Sequence, residues 1–152
     1  MILTICLNPV LQKTLLFSKP VENNSIHRAV SHRLDVSGKG INVSRVLVQM
    51  GFPVVHVTQL GGIFSKQFKH LACKDGIKLD YVKTKSNIRF CYTIIDGAVT
   101  ELVEEGSTVD YSIEKKIIRT FMKHIRNKPS CVVISGSKAS DFSNELYPSM
   151  VY

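Results

Sequence analysis

The 152-residue sequence has no long apolar run and no paired cysteine spacing, and these absences exclude several classes of protein. A helix that spans a bilayer needs about 18 or more apolar residues, and the apolar runs here are far shorter. Residues 1–7 lack the basic region and the cleavage site of a signal peptide. The four cysteines (Cys6, Cys73, Cys91 and Cys131) are scattered. We therefore expect a cytoplasmic protein with reduced core cysteines.

Acidic residues are also scarce. The chain has 12 Asp and Glu against 20 Lys and Arg, a net charge of +8. Such a charge is typical either of a basic solvated surface or of a protein that attracts anionic substrates or nucleic acid. The basic residues are spread along the chain without an aromatic–basic motif, so we do not expect nucleic-acid binding. The length predicts one domain.

The five histidines show no metal-ligand spacing. His27 and His32 are five residues apart, so on a strand they would point to opposite faces. His56, His70 and His124 stand alone. No metal site is predicted from these groups.

A glycine turn, Ser37 to Asn42, is the most informative stretch. Gly38 and Gly40 flank Lys39, and an apolar helical pattern follows at Val43, Val46, Leu47 and Met50. A helix that starts at a glycine turn presents free backbone N–H groups and a partial positive charge. The turn therefore suits an anionic or hydroxyl-rich small molecule. It lacks the spacing of a P-loop or a dinucleotide fingerprint, and a plain loop that turns into a helix is the alternative.

The remaining pattern alternates strands with helices. Apolar runs predict strands at Ile2–Leu7, Val54–Leu60, Leu79–Val82, Phe90–Ile95, Val99–Val103 and Cys131–Ser135. Helical spacing predicts helices over 64–72 and 113–125, the second with Ser112 as its N-cap, and the start of another over 143–152. A half-exposed antiparallel pair is expected at Leu15–Val21 and Ile26–Val36. This order predicts an α/β fold with a mainly parallel sheet.

Six motifs in one order extend along the chain, and together they resemble the ribokinase-like (PfkB-type) sugar kinases. The resemblance is to the branch that contains 1-phosphofructokinase and tagatose-6-phosphate kinase. The matching segments are 2–14 ("LNPALDKT"), 37–42 ("GGKGxN"), 59–62 ("LGG"), 88–95 ("TRxxxxI"), 100–106 ("TEL…E.G") and 132–137 ("VVLSGS").

The resemblance implies a ribokinase-like α/β fold whose parallel sheet, flanked by helices, carries a small antiparallel β lid, at about residues 12–36, that pairs two chains. It implies ATP-dependent phosphorylation of a phosphorylated ketohexose, with Mg²⁺. Members are usually about twice this length, and their "GAGD" turn with the catalytic aspartate has no counterpart in residues 1–152. We therefore expect a C-terminally truncated domain, the N-terminal, sugar-binding half, with no catalytic residue of its own.

The resemblance also implies a set of substrate-binding residues. Gly38, Lys39 and Asn42 would hold sugar hydroxyls, Arg89 would bind the substrate phosphate, and Ser137 would assist. Gln12 stands where the family usually has an aspartate that grips sugar hydroxyls, and an amide keeps hydrogen bonding but loses the charge.

Three function classes remain open at this point. The first is a sugar-phosphate kinase that is truncated here. The second is a non-catalytic remnant, or a module that binds sugar phosphate and dimerises. The third, a basic nucleic-acid binder, is the weakest because the charges are dispersed.

Overall fold

The computed structural model describes residues 1–151, which form two four-stranded sheets and three α-helices. No helix in this range is long and apolar enough to cross a bilayer. The strands are β1 (Ile2–Ile5), β2 (Val10–Leu16), β3 (Ser31–Ser37), β4 (Val54–Leu60), β5 (Lys78–Lys83), β6 (Arg89–Ile95), β7 (Val99–Glu104) and β8 (Cys131–Ile134). The helices are α1 (Lys39–Gln49), α2 (Ser65–Lys74) and α3 (Ser112–Ile125), and Pro148–Met150 forms a 3₁₀ turn.

The first sheet, sheet A, is entirely parallel, with strand order β5-β4-β1-β8. Helix α3 packs over β4 and β5, and α1 packs over β1 and β4 on the other face, as expected for near-continuous apolar strands. Leu3 and Ile5 are fully buried and share a core cluster with Ile117 and Phe121 of α3. The intervening Thr4 lies on the opposite face, against α1. The predicted α/β fold with a parallel sheet flanked by helices is confirmed.

A buried polar cluster joins α1 to sheet A. The Thr4 and Ser44 hydroxyl oxygens are 2.6 Å apart, and they lie 2.8 Å and 2.9 Å from Nδ1 of His56. Ser44 also lies 2.9 Å from the carbonyl oxygen of Gly40, to which it donates. His56 is 1% exposed, and burial lowers its pKa from 6.5 to about 3. The imidazole is therefore neutral in the folded chain at any physiological pH.

The second sheet, sheet B, has the order β3-β2-β6-β7 and is mixed. The β2–β3 and β6–β7 pairs are antiparallel, whereas β2 and β6 are parallel. Phe68 of α2 is fully buried in a cluster with Leu11 and Val36, which fixes this sheet over the carboxyl edge of sheet A. The lid is thus larger than the two-stranded antiparallel pair that the sequence predicts.

The strand limits of the lid also differ from the prediction. The antiparallel pair exists, but its strands are Val10–Leu16 and Ser31–Ser37 instead of Leu15–Val21 and Ile26–Val36. The first strand starts directly after Pro9 because Val10 and Leu11 are buried. The connection between the strands includes Pro20, which cannot donate a ladder hydrogen bond.

Other local predictions are corrected as well. Ser112 does not cap α3; it is the first helical residue, and its N–H donates to the Asp110 side chain at 2.7 Å. All four cysteines are free, but only Cys6 and Cys91 are buried. In the stretch predicted to start a helix, the structure shows only turns and Pro148–Met150; the end of that prediction, Tyr152, lies outside the described residues.

Candidate sugar-phosphate site

The glycine turn lies at the carboxyl edge of sheet A, beside the ends of β1 and β8. Gly38 has φ +112° and precedes α1, which starts at Lys39 and not after Asn42. A Cβ on Gly40 would lie 2.7 Å from the Cys6 Cβ and 3.1 Å from the carbonyl oxygen of Ser135. Glycine is therefore required here for the turn to approach both strand ends. In open α/β sheets, ligands bind in such crevices.

Substitution of Gly40 tests this close approach. Gly40→Ala should lower the free energy of unfolding by about 1–3 kcal/mol, because the new methyl group overlaps backbone and side-chain atoms that cannot all move. Urea denaturation monitored by circular dichroism measures the change. The exposed helical substitution Gln49→Ala is the control and should be nearly neutral. An unchanged free energy of unfolding in Gly40→Ala would contradict the close approach of this glycine to the two strand ends.

Side chains from distant parts of the chain fix the floor of the crevice. The Asn8 amide donates to the Ser137 hydroxyl at 3.1 Å. The Tyr147 hydroxyl accepts from the Leu7 N–H at 3.3 Å and donates to the Ser137 carbonyl at 3.3 Å. Burial, with a smaller effect of nearby Cys6, raises the pKa of Tyr147. The phenol therefore stays protonated and holds the ends of β1 and β8 together.

Arg89 lies across the start of β2 from the glycine turn. Val10 pairs with Ser37 on one side and with Arg89 on the other. Neighbouring strands are about 4.8 Å apart, so the Cα atoms of Ser37 and Arg89 lie on the order of 10 Å apart. Nε of Arg89 is buried and forms no hydrogen bond; it lies 3.4 Å from Oε1 of Glu105, whose side chain is 69% exposed.

The other predicted site residues to be placed are Gln12, Lys39 and Asn42. Gln12 is half-buried inside the lid: its amide oxygen accepts from Ser37 at 2.7 Å, and its amide nitrogen donates to Thr93 at 2.8 Å. Lys39 and Asn42 are exposed at the first turn of α1. The Asn42 side-chain oxygen accepts from Arg45 at 2.7 Å, which leaves its amide N–H groups for a ligand.

The structure thus brings Gly38, Lys39, Asn42 and Ser137 to one edge, with Arg89 on the other side of β2. Sequence reasoning missed two residues, Asn8 and Tyr147. Asn8 belongs to the "LNP" motif and could have been noted there, but the position of Tyr147 depends on a contact across 140 residues that no local pattern predicts.

Two cavities lie near Arg89. The first is a narrow crevice of about 10 Å³ whose lining includes Asn8, Arg89 and Glu105. The second, of about 1050 Å³, lies beyond Ser86 toward the start of α3. Its lysines are solvent-exposed. Neither lining includes a residue of the glycine turn.

The chain is similar to known carbohydrate kinases. Residues 6–147 match the pfkB family of carbohydrate kinases. A tagatose-6-phosphate kinase from Staphylococcus epidermidis is 28% identical over 155 residues, which cover 99% of this chain and 48% of that kinase. The chain therefore spans about half the length of the curated relatives it matches.

Two solved structures also match nearly all of this chain over about half of their own length. A possible 1-phosphofructokinase from Thermotoga maritima superposes with a TM-score of 0.89 at 27% identity, over 99% of this chain and 49% of that one. Phosphofructokinase-2 from Escherichia coli in complex with fructose-6-phosphate has a TM-score of 0.83 at 16% identity, over 99% and 50%, and shares the fold. With residues 6–147 matched, this chain belongs to the pfkB family of carbohydrate kinases.

Proposed function

We propose that this chain binds a phosphorylated ketohexose between the glycine turn and Arg89, as the sugar-binding half of an ATP-dependent sugar-phosphate kinase. One observation carries the proposal. The glycine turn and a guanidinium whose Nε forms no hydrogen bond lie on either side of the same residue, Val10, at the carboxyl edge of a parallel sheet. A sugar phosphate has hydroxyls at one end and an anion at the other, so it fits this pair of subsites.

The hydroxyl subsite consists of Gly38, Lys39, Asn42 and Ser137. In the proposed complex the glycine lets the sugar approach the backbone, and the Asn42 amide and the Ser137 hydroxyl bind its hydroxyls. Gln12 contributes through its second amide N–H, because the first is used by Thr93. Gln12 is neutral, which favours a ligand whose charge is confined to the phosphate.

The phosphate subsite is Arg89. Its guanidinium offers several donors in a planar fork that matches a phosphate. The crevice beside it is too narrow for a phosphate as it stands, so the ligand must displace the Glu105 carboxylate. That displacement costs little because an exposed ion pair contributes only about 0–1 kcal/mol.

We also propose ATP and Mg²⁺ as the phosphoryl donor and its ion, following the family. Within residues 1–151, no group of three or more His, Cys, Asp or Glu side chains is placed to hold a metal ion. Mg²⁺ in kinase sites is held by one or two carboxylates together with the substrate phosphates, and no step of phosphoryl transfer is assigned to the described residues.

Removing the guanidinium tests the proposed ligand. Arg89→Ala should weaken binding of fructose-1-phosphate or fructose-6-phosphate by about 10- to 150-fold, because losing a charge-assisted pair costs about 1.5–3 kcal/mol. Isothermal titration calorimetry on the purified chain measures it. Arg119→Ala removes an exposed arginine from α3 and should bind like the original chain. Equal affinity in both variants would rule out Arg89 as the phosphate ligand.

A second proposal concerns the lid as a dimer interface. The 17–30 connection exposes apolar side chains, among them Val21 (40%), Ile26 (86%) and Val30 (60%). Apolar groups gathered on one element are typical of protein contacts. A variant with the 17–30 connection shortened should sediment as a monomer at concentrations where the original chain is a dimer. If both sediment as monomers, the lid does not pair two chains.

A further inference from the structure

Gln59 is a buried amide near the carboxyl end of β4. The residue is 3% exposed, and every other residue of this strand is buried as well. Its side-chain oxygen accepts a hydrogen bond from the Thr84 hydroxyl at 2.8 Å. The preceding polar residue, Thr58, is also bonded, because its hydroxyl donates to the Cys6 carbonyl at 2.7 Å. Only the acceptor half of the Gln59 amide is thus bonded.

The amide nitrogen of Gln59 is an unused donor. Within residues 1–151 it forms no hydrogen bond, and Arg89 Nε is the only buried side-chain nitrogen or oxygen without a hydrogen-bond partner. The Gln59 nitrogen is therefore in contact with solvent, although the residue as a whole is almost fully buried. A side-chain amide nitrogen carries two donor hydrogens, and polar groups in protein interiors are normally hydrogen-bonded. Gln59 thus presents donors at an opening in the protein.

The opening that Gln59 lines is the narrow crevice beside Arg89. Its volume of about 10 Å³ is close to the space that one water-sized oxygen atom needs. Two strands bring donors to this small space, with Gln59 near the end of β4 and Arg89 at the start of β6. The crevice therefore suits a single oxygen atom of a ligand whose other atoms lie at its mouth.

A carboxylate lies at this crevice in the structure. Glu105 belongs to the lining, and its Oε1 is 3.4 Å from Arg89 Nε. Carboxylate and phosphate oxygens are bound by guanidinium groups in the same planar geometry. The Glu105 side chain is 69% exposed, so this ion pair contributes little and a ligand can replace it. The carboxylate therefore marks the place where the oxyanion of a ligand would lie.

We propose that Gln59 is a second phosphate-binding residue, which donates an amide N–H to one phosphate oxygen in the crevice while Arg89 pairs with the phosphate charge. This inference rests on the proposed binding of a phosphorylated ketohexose. The hydrogen bond from Thr84 holds the Gln59 oxygen and thereby turns the nitrogen away from Thr84. Thr84 is thus a positioning residue for this donor.

Gln59 also determines specificity in this arrangement. A sugar without a phosphate leaves the Gln59 N–H and the Arg89 Nε–H unpaired, and unpaired donors in a buried site are costly. Sites built to hydrogen-bond one group of a substrate reject the analogue that lacks it. The pair therefore selects phosphorylated sugars over the corresponding free sugars.

Removing the donor tests the proposal. Gln59→Leu should weaken the binding of fructose-6-phosphate and of inorganic phosphate by the same factor, about tenfold or more, because each loses one hydrogen bond to a charged group. Amide chemical-shift titration of the purified chain by NMR measures both affinities. Gln59→Glu keeps an oxygen for Thr84 but introduces a carboxylate that competes with phosphate for Arg89, so its loss of affinity should be larger.

Thr84→Val is the matched control for a purely structural role. It removes the hydrogen bond between Thr84 and Gln59 but keeps the amide donor, so it should lower the melting temperature and still bind phosphate more tightly than Gln59→Leu. Thermal melting of each variant identifies any that fails to fold. If Gln59→Leu does not fold, Gln59→Glu provides the test.

Three results would overturn the proposal. Unchanged affinity in folded Gln59→Leu or Gln59→Glu, with weakened binding in Arg89→Ala, would remove Gln59 from the site and leave the proposed function standing. A loss of affinity for fructose-6-phosphate but not for inorganic phosphate would assign the Gln59 donor to a sugar hydroxyl. An original chain that binds neither ligand would contradict the proposed function itself, and the role of Gln59 with it.

Discussion

Purified alone, this chain should transfer no phosphoryl group from ATP to fructose-1-phosphate or fructose-6-phosphate at a rate typical of kinases, about 1–100 s⁻¹. Phosphoryl transfer depends on donors that stabilise the charge of the moving group, and removing even one such donor typically lowers a rate by about 10²–10³. The glycine turn and Arg89 hold a sugar phosphate in the proposed site. Within residues 1–151 nothing resembles the family's catalytic aspartate or its glycine-rich anion turn.

The assay has two arms, each with ATP, magnesium and one hexose phosphate. The first uses the chain alone, and the second adds the part of the S. epidermidis tagatose-6-phosphate kinase that this chain does not match. Turnover in the second arm only would show that the catalytic groups lie in that added part. Turnover by the chain alone, abolished by Arg89→Ala and retained by Arg119→Ala, would mean that catalytic groups within this chain have been overlooked.

Lowering the pH from 7 to 5 should reduce the free energy of unfolding by about 2 kcal/mol through His56 alone. The folded chain keeps this imidazole neutral, with its pKa lowered to about 3 by burial. In the unfolded chain the same group takes up a proton below about pH 6.5. The stability is therefore fully present above pH 6.5 and is lost progressively as the pH falls toward 3.

Urea denaturation of matched variants at pH 7 and pH 5 isolates this effect. His56→Gln removes the titrating group and should flatten the dependence by about 2 kcal/mol, although it lowers stability at pH 7 by disturbing Thr4 and Ser44. His70→Gln removes an exposed histidine from α2 and should leave the dependence unchanged. An unchanged pH dependence in His56→Gln would show that the buried imidazole is not the source.

Much of the fold follows from short-range pattern. The stripe of Ile113, Ile117 and Phe121 predicts α3 because its 3.6-residue period matches a single buried face, and all three residues are buried. The apolar strands of sheet A are likewise predicted to within two or three residues. The lid is not: Leu11, near the start of β2, is buried in a cluster with Phe68 of α2, which is a tertiary effect that no local propensity shows.

The candidate site can also be predicted only in part. Gly38 and Arg89 are predicted from motifs whose residues are close in sequence. The hydrogen bonds of the Gln12 amide depend on Ser37 and Thr93, which lie on different strands. Likewise, Val46 lies on the apolar face of the predicted helix α1 but is 53% exposed, and the hydrophobic period alone cannot show whether an apolar face is buried.

The hydrogen bond between Asn8 and Ser137 joins residues 129 positions apart, and this has a consequence for how the chain folds. At synthesis rates of about 5–20 residues per second, the two groups are separated by on the order of ten seconds on the ribosome. Closing such a long loop comes late in folding, since its entropy cost precedes any gain from the contact. Local helices form early, whereas the crevice is completed only when β8 docks beside β1. A nascent chain therefore completes this crevice in one late step and not gradually.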